Sequence, residues 1–465
     1  KTLTKPLEFY SERFAPIDED RSSPLLGTAL QERIDRESRS ELSFGNQVEL
    51  LKDRAAFMAK KRLIQSARKE IFMSSLVFVC DASTRELVDL LIERHRAGVR
   101  VYVLVDGMIS RVLKHRQCPA LLRRAGVHVI EANDFWNYQG RTIYHTKKLV
   151  VDQAQAIAGG QNMLDADNTS RGLDFKNRDV DLSLTGPIVR DMALAFVTDW
   201  NHFAPRFKGM PRLDKNELKA ALELERKQRL RGQENYAQIL EDTTTRTQGV
   251  CRYVRQSPFE DRHTIGRAYL ALLEHTQSSL ALTTPIMADS RVTRLNRARL
   301  PVFELADSFA MYNKLWGALQ SLARQGLPMD LVTTNIEMAG NENVAMVNEV
   351  IRERMQHDQE LLANFDLFKI YASNRFFGKP HYKNLLRDWV PFENVHVWTH
   401  VSFMHSKIVH FDRLVASVGS YNIQHNATDH SYEGTVICMD RALNRQVDET
   451  LVEDIVNSIP LTFKQ

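Results

Sequence analysis

The chain has 465 residues, 43% of them hydrophobic and 26% charged, with 14 prolines, which excludes disordered, collagenous and coiled-coil chains. Lys plus Arg number 62 against 58 Asp plus Glu, for a net charge of +4; a dedicated polybasic protein is excluded, whereas local phosphate-binding clusters are not. The four cysteines, Cys80, Cys118, Cys251 and Cys438, form no CxxC pair, so a zinc ribbon and a disulfide-dense mini-fold are excluded and the redox compartment stays open.

Residues 1–45 are polar and weakly periodic and read as an N-terminal arm with one short helix over Thr28–Arg36. The chain starts at Lys1 without a methionine, and the expectation is a processed or shortened chain whose leader or anchor lies outside it. No run approaches the roughly 18 to 20 apolar residues of a membrane span; the best stretch is Ile71–Cys80. A pattern that occurs twice then begins. Leu63–Leu76 reads as a helix end, a charged turn and a strand, and Leu272–Pro285 repeats it without gaps. Glu86–Asp106 and Leu315–Val332 follow, each a helix with apolar residues at three- and four-residue spacing, a glycine stop and a buried strand.

Strands joined through helices are βαβ units. The expected fold class is therefore α/β: two pseudo-symmetric halves, 46–205 and 250–465, each a mostly parallel sheet flanked by helices, sharing one active site. Between them, 206–249 reads as a charged helical connector; Asn216–Arg231 carries Leu218, Ala221 and Leu222 on one face, and its glutamates argue for a solvated helix over a membrane-surface one. The second half has insertions near Ala288–Ser308, with Arg291, Arg294, Arg297 and Arg299, and near Met338–Asn394. Insertions of this kind usually become loops that shape a site.

The chemistry lies in a motif found once per half. His145-Thr146-Lys147 is followed by Asp152 and by Gly159-Gly160-Gln161-Asn162; His405-Ser406-Lys407 is followed by Asp412 and by Gly419-Ser420-Tyr421-Asn422. Residues i and i+2 of a strand share a face, so each His stands beside its Lys. Two such pairs brought together make a cationic pocket with two imidazoles. A phosphodiester needs such a pocket. Lys147, Lys407 and the amides of Asn162 and Asn422 would hold the non-bridging oxygens while one imidazole attacks phosphorus and the other protonates the leaving oxygen. Gly160 and Ser420 would let the backbone approach the phosphate. Each imidazole also needs an orienting acid; Asp179 is the candidate for His145 and Glu433 for His405. Asp152 and Asp412, near turns, are read as structural.

The double pattern resembles the phospholipase D superfamily, in which two HxKxxxxD motifs from two repeat halves build one active site. The similarity covers roughly Asn46 to Ile459, and Arg96–Asp106 is similar to the bacterial cardiolipin synthase branch. The resemblance implies a two-step reaction through a covalent phosphohistidine, without metal or organic cofactor, with His145 as nucleophile and His405 as general acid and then base. It also implies a phosphatidyltransferase or phospholipase D, with a phospholipid and a membrane surface as partners, no obligate nucleic acid, and an envelope or exported bacterial location. The oligomeric state stays open. Two departures stand out: Lys148 directly follows Lys147, and Arg178 precedes Asp179 where that branch often has an aromatic residue.

The competing function is a nuclease of the same superfamily, disfavoured by the near-balanced charge; a vestigial scaffold would need a lost His or Lys, and none is lost. His396, His400, His405 and His410 lack the Cys or carboxylate that would complete a metal set. Trp136, Tyr138, Phe376 and Phe377 read as core packing before membrane contact, and the arginines of 291–299 as a solvated loop before a headgroup site.

Overall fold

The computed structural model describes residues 23–107, 117–133, 142–168, 177–231, 249–285, 310–334, 389 and 391–461. The arginine-bearing insertion at 291–299, Trp136, Tyr138, Phe376 and Phe377 lie outside these residues, as does nearly all of the second insertion.

In chain order, the first half contains α1 (Thr28–Ser38), β1 (Ser43–Lys52), α2 (Arg54–Ser66), β2 (Glu70–Ser75), α3 (Ala82–Arg96), β3 (Arg100–Asp106), α4 (Gln117–Arg124) and β4 (His128–Ala132). It continues with β5 (Ile143–Tyr144), β6 (Lys148–Val151), β7 (Gln155–Gly159), α5 (Asp165–Asn168), β8 (Asn177–Arg178), β9 (Val180–Thr185) and α6 (Ile188–Phe203). The connector holds α7 (Asn216–Arg231), with Leu218 buried and its neighbours polar. The second half contains β10 (Gly249–Gln256), α8 (Thr264–His275), β11 (Leu280–Thr283), α9 (Ala310–Arg324), β12 (Met329–Thr334), β13 (Val395–His400) and β14 (Phe403–Met404). After these come β15 (Ile408–Phe411), β16 (Val415–Gly419), α10 (His425–Asp429), β17 (Ser431–Met439), α11 (Arg441–Val456) and β18 (Ser458–Pro460).

The strands of both halves form one sheet. Its order on the first side is β4-β3-β2-β6-β7-β9-β1, and on the second β13-β12-β11-β15-β16-β17-β10, with β18 added at the edge. The two orders correspond strand for strand. β1 and β10 pair antiparallel at the seam, Ser43 opposite Cys251 and Asn46 opposite Gly249, so the pseudo-twofold axis runs between them. Strands β2, β3, β11 and β12 are almost wholly buried, and a strand buried on both faces requires helices on both.

The sheet is mixed, which corrects the expectation of mostly parallel halves. β2, β3 and β4 run parallel, as do β11, β12 and β13, whereas β6, β7, β9 and their counterparts pair antiparallel. The reason is connectivity. Helices or long crossovers link the parallel strands, while β6 and β7 are joined by a tight turn through Asp152 and Gln153, both at positive φ, and only antiparallel strands can be joined so closely.

Helix α6 buries Ile188, Met192, Phe196, Trp200 and Phe203, a stripe at helical spacing. That stripe joins a core containing Tyr144 from the first half and Cys251, Ile408, Tyr432 and Val436 from the second. The halves therefore share apolar interior. Helix α1, expected within a polar arm, packs Leu30 and Ile34 into the second half's core beside Ile265, Tyr269 and Leu272. All four cysteines are paired, Cys80 with Cys118 and Cys251 with Cys438.

Candidate active site

Two short parallel pairings bring the motifs together across the halves. In one, β5 lies beside β17, with Ile143 opposite Ser431 and Tyr144 opposite Tyr432. In the other, β14 lies beside β8, with Phe403 opposite Asn177 and Met404 opposite Arg178. In each register the next residue on one side is a motif histidine and on the other an acid. The His145 N–H donates to the carbonyl of Tyr432 (3.0 Å), and the His405 N–H to that of Arg178 (2.8 Å).

The acids are consequently exchanged relative to the sequence expectation. His145 Nδ1 lies 3.0 Å from Glu433 Oε2, and His405 Nδ1 lies 2.6 Å from Asp179 Oδ2. Each imidazole is thus oriented by the carboxylate of the opposite half. A carboxylate accepts only, so the ring proton sits on Nδ1 and the Nε2 lone pair is left for chemistry.

Lys147 Nζ donates to the His145 carbonyl (2.7 Å) and Lys407 Nζ to that of His405, which ties each ammonium to its own motif. Both lysines are buried, and burial, together with their mutual repulsion at Lys147, pushes Lys147 down to about 7 and Lys407 below its ordinary value. Burial also lowers His145 to about 4 against the opposing pull of Glu433, and lowers His405 well below the usual imidazole range, with Lys407 adding to it. Asp179 is pushed up to about 6 by burial, while Lys407 opposes the shift. Two neutral imidazoles beside Lys407 and a Lys147 that a bound anion would hold protonated make a site poised for an anion. Lys148, by contrast, belongs to the opposite face of β6 and meets the Tyr253 hydroxyl at 3.4 Å, within the apolar interior shared by the halves.

Asp152 and Asp412 do what a turn residue does. The Asp152 carboxylate accepts the N–H groups of Arg68, Lys69 and Glu70, and Asp412 accepts those of Gln277, Ser278 and Ser279. Each therefore clamps the helix-to-strand turn of its own repeat.

Gly160 and Ser420 have another reason to be small than the one expected. A Cβ on Gly160 would collide with the Asp179 carboxylate, and the Ser420 hydroxyl donates to Glu433 while accepting the Gly434 N–H. Both positions serve the orienting acids. Asn162 and Asn422 are buried beside them; Asn162 Oδ1 accepts the Val77 N–H (3.2 Å), whereas Asn422 Oδ1 has no partner among the described residues.

Sequence reasoning missed Asp167, which is fully buried and accepts the Asn162 N–H (2.7 Å) and the Asn177 side-chain amide. Its charge opposes the lowering of the His405 and Lys407 values. A signal existed: an acid stands five residues past Asn162, whereas Ala427 stands at the matching place past Asn422. Asp167, Asp179 and His405 offer ligand atoms within 4.8 Å of one another, but the hydrogen bonds above already engage all three and two lysines flank them. The nearby charges of Lys147 and Lys407, coupled to both carboxylates, oppose a cation at this trio. His396, His400, His405 and His410 form no common ligand set among the described residues: His405 is held by Asp179, His410 by Asn444 and Asp448, and His400 accepts the Ser402 N–H.

A family profile described as "Cardiolipin synthase, PLD-like domain" matches residues 61–199 and 269–455. A protein named cardiolipin synthase A from Pseudomonas fluorescens is 32% identical over 160 residues, 33% of each chain. One of the same name from Pseudomonas entomophila is 22% identical over 427 residues, 90% of this chain and 70% of that protein. Among solved structures, a phosphatidylserine synthase from Haemophilus influenzae covers 93% of this chain and 92% of its own, with a TM-score of 0.59 and 13% identity.

Proposed function

The chain belongs to the phospholipase D-like cardiolipin synthase family, and from that premise we propose that it transfers a phosphatidyl group from a phospholipid to an alcohol or water. The observation that carries the reading is the crossed pair of imidazoles, each with Nδ1 held by an acid and both within the electrostatic reach of Lys147 and Lys407. His145 Nε2 attacks phosphorus, a P–N bond forms, and the bond to the headgroup oxygen breaks as that oxygen takes a proton from His405. In the second step His405 accepts the proton of the acceptor hydroxyl, the new P–O bond forms and the P–N bond breaks. Lys147 and Lys407 stabilise the charge on the non-bridging oxygens through both steps.

The low value of His145 keeps it neutral for attack. His405 must be protonated to act as acid, and a bound phosphodiester favours this by offsetting the lysine charges that oppose it. The acid's limb of the bell-shaped kcat profile is accordingly expected at higher pH than in the kcat/KM profile. Two disulfides support an oxidising location such as a cell envelope. Among the described residues no helix is long and apolar enough to cross a membrane, so lipid access is proposed through contact with a membrane surface.

Purified protein assayed in parallel on phosphatidylglycerol vesicles and on single-stranded DNA tests the reading. Release of glycerol with formation of a new phosphatidyl ester, or of phosphatidic acid when water is the acceptor, supports it. Cleavage of DNA with untouched vesicles replaces it by the nuclease.

A further inference from the structure

Arg178 lies outside the HxK chemistry, yet its bonds tie the His405 strand to the acid behind it. Its carbonyl accepts the N–H groups of His405 (2.8 Å) and Ser406 (3.1 Å). Its guanidinium donates from Nε to Asp454 Oδ1 (2.6 Å) and from Nη1 to Asp53 Oδ2 (2.7 Å). The other oxygen of Asp53 accepts the Asp179 N–H (3.0 Å), and the Asp53 N–H donates to the Asp179 carbonyl (3.0 Å). One carboxylate thus links the Arg178 side chain to the main chain of the acid that holds His405. The guanidinium is buried, Asp454 is fully buried, and Glu453 approaches at 3.4 Å, so the fork of Arg178 is fixed from α11 and from the β1–α2 turn at once.

We propose that Arg178 is a positioning residue for the His405–Asp179 pair: it locks the β8–β14 pairing so that Asp179 meets Nδ1 of His405. This rests on the phosphoryl-transfer reading above and assigns a device to one arm of that site. Among the described residues the acid of the other arm is not tied to an arginine in this way. The residue at the matching place is Tyr432, whose carbonyl accepts the His145 N–H but whose ring packs against Tyr144 and Phe203.

The test uses Arg178→Met, Arg178→Lys and Asp53→Asn in the full chain, with thermal unfolding as the folding check. Turnover is read on phosphatidylglycerol vesicles and on bis(p-nitrophenyl) phosphate. Arg178→Met is expected to lower kcat by about 10–100-fold with KM little changed. Displacing the Asp179 carboxylate, which stabilises the imidazolium, should also move the alkaline limb of the profile to lower pH. Arg178→Lys, which keeps the charge without the fork, should recover part of the loss, and Asp53→Asn should shift both readouts in the same direction by less. Added to Asp179→Asn, the Met substitution should cost little more, whereas with Glu433→Gln the losses should multiply. If Arg178→Met does not fold, the Lys and Asn variants carry the same comparison. A folded variant with an unshifted profile and losses that multiply in both backgrounds overturns the proposal. Should the wild-type enzyme turn over neither substrate, the functional reading fails. The proposal is then read from the NMR titration of His405, identified by His405→Gln: its imidazole value should fall in the variants, and an unchanged value overturns the proposal.

Discussion

The His145–Glu433 arm and the His405–Asp179 arm share their register, their pairing and their lysine, and are backed by different material. Behind Glu433 stands an aromatic interior of Tyr432, Tyr144 and Phe203, continuous with the core between the halves. Behind Asp179 stands the ionic bracket of Arg178, Asp53 and Asp454. Glu433 is further tied by the Ser420 hydroxyl, whereas the matching Gly160 presents only room. The lesson is that a repeat can preserve a reacting geometry while its support diverges. Apolar packing holds by area and shape, while buried ion pairs hold by geometry and turn costly when one partner is removed.

Removing either imidazole is the largest break of this symmetry. His145→Gln and His405→Gln should each lower kcat by about 10⁴-fold or more, and the double variant should be little worse, since the pair acts as one unit. Substrate-derived phosphorus should label the peptide containing His145 and persist longer in the His405 variant. A label on the His405 peptide would reverse the order of the two histidines and leave the two-step chemistry standing.

Neutralising the acids comes next. Asp179→Asn and Glu433→Gln should each cost about 10²- to 10⁴-fold in kcat by releasing the Nδ1 proton's acceptor. Because the acids cross between the halves, Asp179→Asn should perturb the NMR titration of His405, and Glu433→Gln that of His145. The opposite assignment would contradict the register.

A smaller contrast separates the two small positions. Gly160→Ala must displace the Asp179 carboxylate and should cost about 100-fold in kcat, whereas Ser420→Ala deletes one hydrogen bond to Glu433 and should cost about 10-fold. Equal losses would show that displacing the Asp179 carboxylate costs no more than deleting one hydrogen bond to Glu433.

The smallest effect concerns Lys148, which reaches the shared interior instead of the phosphate pocket. Burial lowers it to about 8, so between that value and about 10.4 the unfolded chain binds more protons at this site than the folded one. Stability should therefore rise with pH across that window, and Lys148→Met should remove a share on the order of 2 kcal/mol, measured as urea unfolding at pH 7 and pH 10. An unchanged slope in the variant would place the ammonium in solvent.

Periodicity made the double βαβ unit legible, because helix and strand faces are written at fixed local spacing in Glu86–Asp106 and Leu315–Val332. Spacing also set His145 beside Lys147 and His405 beside Lys407, since i and i+2 share a strand face whatever the rest of the chain does. The connector helix Asn216–Arg231 was legible from charge and spacing alone. Tertiary structure decided which acid serves which imidazole. Glu433 and Asp179 reach their histidines across 288 and 226 residues of chain, and the two halves are so alike that each acid could pair within its own half or across the seam. Only the docking of β5 on β17 and of β14 on β8 makes that choice. The pairing of β7 with β9 leaves Gly160 no room for a Cβ, while the same docking draws the unrepeated Asp167 against His405 and sets the Arg178 carbonyl against the His405 N–H. Contacts of this kind depend on where two distant backbones meet, and that meeting is fixed by the burial of the apolar interior shared between the halves, which no local pattern encodes.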